Sequence, residues 1–362
     1  MSKCILLGAG ASFGYSESLS DLQIPPLTDE IFSKGFKLGL LDNSLYVNLI
    51  EKLGHYSREI LKNGTMNYEY RIDVEQFMSW LAEQLAGLDK RLNEVGLAEH
   101  ELRSSLFKQT KSYQRAIGEV WYLVFDVIRH FSVSYKPSFD AYRRLALHSY
   151  DCFYNVVTLN YDTIFEAAIL HSGIGYNYGP PNSAGAIPIA KLHGSVNWLN
   201  PIGRGIANQG LSKPDEIFRF ASGLLYTNRI NMDAPRILDL MALSKLRLKD
   251  LFRSGTDYEE PILIPPIGGH KDYEKVKLYQ EIWNFASRMV GDASELVVVG
   301  TKLREQDTRL AELLKTNLKQ SADIVAVGNK DRIVQGLENM LGRKPKEPIS
   351  HFPHFMDYAR SL

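Results

Sequence analysis

Cys4-Ile5-Leu6-Leu7-Gly8-Ala9-Gly10-Ala11-Ser12-Phe13-Gly14 decides how the rest of the chain is read. Four consecutive apolar residues ending in glycine predict a strand buried on both faces and then a tight turn. Glycine there lets the backbone come close to a pyrophosphate, whose charge a following helix N-terminus stabilises. The stretch therefore predicts the floor of a dinucleotide pocket, although a plain structural turn has the same local appearance. Its spacing is Gly-x-Gly-x-x-x-Gly, and no strand ending in an acid lies about 20 residues on. Both features argue against a hydride-transfer enzyme.

Downstream, Ile24-Pro25-Pro26-Leu27 reads as a loop. Thr28 reads as a helix N-cap, with Asp29 and Glu30 in the first turn, where acids are favoured. From 40 to 150 apolar residues recur three and four apart, as in Val74, Phe77, Met78, Leu81, Leu85 and Leu88, and again in Val120, Leu123, Val124, Val127, Ile128 and Phe131. This is the spacing of amphipathic helices. Strand-like runs resume at 153–159, 176–179, 187–192, 261–266, 295–300 and 322–328, with helices expected at 163–171, 273–290 and 307–319. Alternating strands and helices define a parallel sheet covered on both faces. The expected fold is α/β: one Rossmann-like domain over 1–362, with a large helical insertion at 40–150 and a second, mainly helical one at 200–255. The tail, 343–362, is rich in proline and lysine and fits either a docking arm or a segment without fixed structure.

The chain has 362 residues, 44% hydrophobic and 23% charged, with a formal net charge of zero. Such a balance gives no footprint for nucleic acid, so direct nucleic-acid binding is not expected. The N-terminus has no secretory pattern, and no apolar run approaches the ~20 residues of a spanning helix, so a soluble, cytoplasmic protein without membrane attachment is expected. Cys4 and Cys152 are the two cysteines. Both precede apolar runs and read as small core residues. Two cysteines cannot build a four-thiolate zinc site, and no other metal site is expected.

Two further segments carry polar groups at strand ends, where ligands of open α/β sheets lie. In Thr158-Leu159-Asn160-Tyr161-Asp162, Asn160 and Asp162 emerge from a buried run. Asp162 reads equally as a cap for the next helix, and Asn160 as a turn residue. In Lys191-Leu192-His193-Gly194-Ser195, His193 stands at a strand-to-loop junction, a setting the other eight of the nine histidines lack.

The three segments together resemble the sirtuin family, whose landmarks are a Gly-Ala-Gly-x-Ser turn, a Thr-x-Asn-x-Asp strand end and a His-Gly pair in that order. Lys191–Trp198, Leu263–Lys271 and Val297–Asp307 bring the resemblance to the bacterial sirtuin-like branch found in anti-phage defence. It covers 1–35, 151–200 and 260–335. The zinc-binding Cys-x-x-Cys pairs of sirtuin deacylases are missing. Ile24-Pro-Pro-Leu-Thr-Asp29 appears instead of their Gly-Ile-Pro-Asp-Phe-Arg stretch, which weighs against protein deacylation.

The resemblance implies NAD as a substrate, no zinc, and cleavage of the nicotinamide–ribose bond. Asn160, His193 and Asp162 are its catalytic candidates. Gly8, Ala9, Gly10, Ala11, Ser12 and Asp29 are cofactor-binding candidates, with Ser12 and the amides of residues 9–12 on the pyrophosphate. Gly300, Thr301 and Asn329 are candidates for the adenosine half, although Gly300 also fits a plain turn and Asn329 a loop. The expected activity is that of an NAD glycohydrolase acting as a defence effector. Transfer of ADP-ribose or acyl groups, and NAD or ADP-ribose sensing without turnover, are the alternatives. Toxic turnover implies control by homo-oligomerisation or by a regulatory partner chain, such as an ATP-driven translocase.

Overall fold

The computed structural model describes residues 2–16, 23–41, 44–60, 62, 71–96, 99–136, 140–179, 185–202, 218, 235–252, 258–264, 277–304 and 307–362. The chain is an α/β protein with a Rossmann-like parallel sheet. Its strands are β1 (Lys3–Leu7), β2 (Asn155–Thr158), β3 (Gly175–Tyr178), β4 (Ala186–Lys191), β8 (Glu295–Val299), β9 (Asp323–Val327) and β10 (Ser350–Phe352). Their order across the sheet is β10-β9-β8-β1-β2-β4-β3, and every pairing is parallel. Strand β1 lies in the middle, with Ile5 opposite Val156 of β2 on one side and Val297 of β8 on the other. The chain first builds outward through β2, then returns to the far side of β1 with β8. This reversal opens a crevice at the carboxyl ends of β1, β2 and β8, the place where such sheets hold ligands.

Strict alternation of side chains builds two cores, one on each face. Cys4, Leu6, Val157, Leu296, Val298, Ile324 and Ala326 face one of them. Ile5, Leu7, Val156, Val297, Val299, Val325 and Val327 face the other. Each valine, leucine or isoleucine among them, fully buried, contributes ~1.5–3 kcal/mol. The first face carries α2 (Ile31–Lys37), α3 (Val47–Glu59), α4 (Val74–Glu94) and the 34-residue α5 (His100–Val133), together with the helices Lys277–Asp292, Thr308–Asn317 and Lys330–Leu341. The second face carries the short α1 (Ala9–Phe13), α6 (Ala141–Cys152), α7 (Ile164–His171) and the terminal helix Phe355–Ser361. The insertion thus covers one face with α3, α4 and α5, while its last helix, α6, lies on the other face.

Several expectations are corrected. The tail is neither an arm nor structureless: β10 extends the sheet and its helix packs Phe355 and Met356 into the second core. Of the strand expected at 261–266, the described residues 261–264 do not join the parallel sheet, and 265–266 lie outside the described residues. Strand β7 (Tyr258–Leu263) instead pairs antiparallel with β5 (Gly194–Ile202), and β6 (Arg236–Ile237) pairs on β5's other side. The 200–255 region is therefore partly strand where described, with a helix at Leu240–Lys245 and a 3-10 turn at Leu248–Phe252. Residues 203–217, 219–234 and 253–255 of that insertion lie outside the described residues, as do 265–271 and 305–306 of the resembling motifs. Cys152 is exposed at the end of α6 rather than buried in a strand. Thr28 does not cap α2, which starts only at Ile31 with Glu30 as its N-cap; the Thr28 hydroxyl bonds Asp73 instead. Among the described residues no helix is long and apolar enough to cross a membrane.

Candidate functional site

A cavity of about 500 Å³ sits at the switch point. Its floor is the glycine turn, and the structure supplies a second reason for the glycines. A Cβ on Gly10 would lie 2.7 Å from the Gly300 carbonyl oxygen, and one on Gly8 would run into Thr301. Gly300 has φ +59°, and a Cβ there would strike the Ala11 amide. The turns after β1 and β8 are thus pressed together backbone to backbone. Their hydrogen bonds show it: the Gly8 amide donates to Val299 at 2.9 Å and the Gly10 amide to Gly300 at 2.7 Å. The Ala11 amide donates to Gly8 at 2.8 Å. The expected pyrophosphate contact is corrected accordingly: the Gly10 and Ala11 amides are committed inside the protein, and Ala11 faces the second core rather than the cavity.

Ser12, Asn160, Asp162 and Tyr142 form one buried polar cluster. The Ser12 hydroxyl donates to Asp162 Oδ2 at 2.7 Å. It accepts from Asn160 Nδ2 at 3.0 Å and stands 2.8 Å from the Tyr142 hydroxyl. The direction of this chain follows from its end. The Ser12 hydroxyl proton is given to Asp162 Oδ2, so Ser12 accepts from Asn160 Nδ2. That orientation leaves Asn160 Oδ1 buried with no hydrogen-bond partner among the described residues, beside the cavity. A buried unpaired acceptor costs ~1–3 kcal/mol, which a ligand donor recovers. Burial pushes the Asp162 carboxyl above its ordinary value, opposed by Lys191 and by hydrogen bonds from Ser12 and the Ile164 amide. Asp162 Oδ1 also accepts the Ile164 amide at 3.0 Å, from the residue before the α7 N-cap, Thr163. Beneath it Lys191, fully buried, bonds the Asp162 carbonyl oxygen and pairs with Glu166 at 2.9 Å.

His193 occupies the corner between β4 and β5. Gly194 follows with φ +85°, and a Cβ there would collide with the Ile262 carbonyl of β7. The His-Gly pair thus reflects a close strand approach, which holds His193 at the cavity wall. Its Nε2 lies 3.0 Å from Asp307 Oδ2, with both side chains about nine-tenths buried. Burial alone would raise the Asp307 carboxyl, but His193 and a hydrogen bond from the Leu310 amide hold it below its ordinary value.

The roof comes from the insertion: Met78 of α4 and Trp121, Val124, Ile128 and Phe131 of α5. A clamp fixes it to the sheet. Arg304, after β8, bonds Asp73 Oδ2 at 2.6 Å and Thr28 at 2.8 Å, and pairs with Glu75. Asp73 also caps α4 by accepting the Glu75 and Gln76 amides. Burial pushes the Glu75 carboxyl up, with Arg304 opposing.

Gly8, Ala9, Gly10, Ser12, Asn160, Asp162, His193, Gly300, Thr301 and Asn329 therefore all line this cavity. Asn329 does so while capping the helix Lys330–Leu341 through the Arg332 amide, at 3.0 Å. Asp29 is not in the lining; it lies 3.8 Å from Arg71. Sequence reading missed Asp307, Tyr142, Arg304 and Glu75. Asp307 was legible only as a helix start, and nothing local marked the others. Among the described residues, no group of three or more His, Cys, Asp or Glu side chains is placed to hold a metal ion.

Fold and site define an α/β protein with a cavity of about 500 Å³ at the switch point of a Rossmann-like sheet. The sequence matches no protein-family model and no curated protein.

Proposed function

We propose that this cavity hydrolyses NAD to nicotinamide and ADP-ribose. The observation that carries the reading is that Asn160, whose Oδ1 is buried with no hydrogen-bond partner among the described residues, lines the same cavity as His193. A ribose hydroxyl or the attacking water supplies the donor that this oxygen lacks. Oxidised nicotinamide is cationic at its ring nitrogen. When the C1′–N bond breaks, nicotinamide takes the electron pair and leaves neutral, so no general acid is needed. The site must stabilise an oxocarbenium-like ribose and place a water. The water oxygen bonds C1′, and its proton passes to His193 as general base. Asp162 holds Asn160 in register through Ser12.

The phosphates lie over Ala9 and the turn after β8, where Lys302 and Arg332 line the cavity and bring positive charge. Gly300, Thr301 and Asn329 lie under the adenosine half. The apolar roof shields the reacting carbon from bulk water. Since NAD loss is toxic, control by assembly of copies or by a partner chain belongs to this reading, as does a role in anti-phage defence.

The test is nicotinamide release by the purified full chain supplied with NAD. Release that disappears in Asn160→Ala and in His193→Ala supports the reading. Release unchanged in both variants sinks the site. Tight NAD binding without turnover makes the protein a sensor, and labelled ADP-ribose on a macromolecule makes it a transferase.

A further inference from the structure

We propose that Asp307 is the positioning residue of His193, fixing the imidazole as its Nε2–H tautomer so that Nδ1 is the basic nitrogen of the site. The kinetic consequence rests on the NAD-cleaving reading; the protonation pattern does not.

A neutral imidazole carries one N–H, and its two nitrogens differ only through what each one meets. His193 Nε2 meets Asp307 Oδ2 at 3.0 Å, with both groups buried. The Asp307 carboxyl is held below its ordinary value, so at neutral pH it is ionised and only accepts. Nε2 must then donate. The lone pair falls to Nδ1, for which no protein hydrogen bond is present among the described residues.

Asp307 is itself held from the other side. Its Oδ1 accepts the Leu310 amide at 3.1 Å and caps the helix Thr308–Asn317. One carboxylate thus transmits the direction of a helix start to the ring of His193, across 114 residues of sequence. Among the described residues, charged or titratable groups close to this pair include Glu75, paired with Arg304, the Arg309 guanidinium beside Asp307, and the Tyr161 ring, 6.3 Å from the imidazole centroid.

Asp307→Asn tests the arrangement with little change of shape. The amide oxygen still accepts from Leu310, so the helix cap persists. The amide nitrogen now donates toward Nε2, which must accept, and the proton moves to Nδ1. The imidazole nitrogens are read by 15N NMR on the full chain at neutral pH. The expected result is Nε2–H in the parent protein and Nδ1–H in Asp307→Asn. Nicotinamide release should fall ~10²–10⁴-fold in kcat with KM nearly unchanged, the loss typical of removing a general base. Asp307→Ser, which keeps a capping hydroxyl and removes the carboxylate, should lose kcat as well while melting close to the parent.

A parent protein that shows Nδ1–H overturns the proposal, whatever its activity. So does Asp307→Asn with kcat close to wild type while His193→Ala is inactive. If the parent protein releases no nicotinamide the NAD-cleaving reading fails, and if His193→Ala still releases it His193 is not the base; in both cases the NMR result alone decides the role of Asp307.

Discussion

The floor and the roof of the cavity are built on opposite physical plans. The floor is made of strand ends and turns, packed so tightly that glycine is required at Gly8, Gly10 and Gly300. It carries the buried polar groups Ser12, Asn160, Asp162 and His193. The roof is made of two long helices, contributes Met78, Trp121, Val124, Ile128 and Phe131, and touches the floor's charge system through the Arg304 clamp. Chemistry needs fixed directions, which hydrogen-bonded strand ends supply. Excluding water needs only apolar area of the right shape, which helices can supply with many sequences. The floor should therefore be intolerant of change in activity, and the roof in stability and substrate affinity.

The largest effect tests the floor. Asn160→Ala should lower kcat for nicotinamide release by ~10²–10³-fold, with little change in melting temperature. An equal loss from a roof substitution would break the contrast. Gly300→Val comes next. It places a β-branched side chain at φ +59° against the Ala11 amide, and should cost ~3 kcal/mol or more in a urea titration.

Trp121→Ala addresses the roof. It should cost ~3 kcal/mol by leaving a cavity and raise KM for NAD more than it lowers kcat. Arg304→Gln leaves Asp73 and Glu75 without their cation and should cost ~1–3 kcal/mol, again with a larger effect on KM than on kcat.

The smallest effect is a difference in pH response. Arg304 and its hydrogen bonds hold Asp73 below its ordinary value against the cost of burial. Its stabilisation is therefore complete above the unfolded carboxylate value and disappears as pH falls through the folded one. Glu119, in the roof, behaves in the opposite sense. Burial lifts it from 4.5 to about 7, against hydrogen bonds from the Leu49 amide and the Asn48 side chain. The folded state then holds an extra proton between those values, so stability should fall as pH rises through that window. Urea midpoints near pH 5 and near pH 7 should show this decline in the parent protein and a flatter line in Glu119→Gln.

Local pattern determined the outline. The apolar runs marked β1, β2, β4, β8 and β9 because a strand buried on both faces has no polar side to show. The spacing in 74–88 and 120–131 marked α4 and α5 because a helix repeats its buried face every three to four residues. The same logic placed Asn160, Asp162 and His193 at strand ends, and so at one crevice. What local pattern could not decide depends on contacts distant in sequence. Residues 261–266 read as one more parallel strand, but pairing with β5 made β7 antiparallel. The tail's apolar residues were too sparse to declare a strand, and β9 recruited it as β10. Asp307 looked like a helix cap, and only folding brought it to His193. The glycine turn of residues 8–14 shows the division most clearly. Its sequence announced a tight turn after a buried strand, while the approach of Gly300 decided which of its amides remain for a ligand. A turn's conformation is encoded by its own residues, but its unpaired groups are settled only by what packs against it.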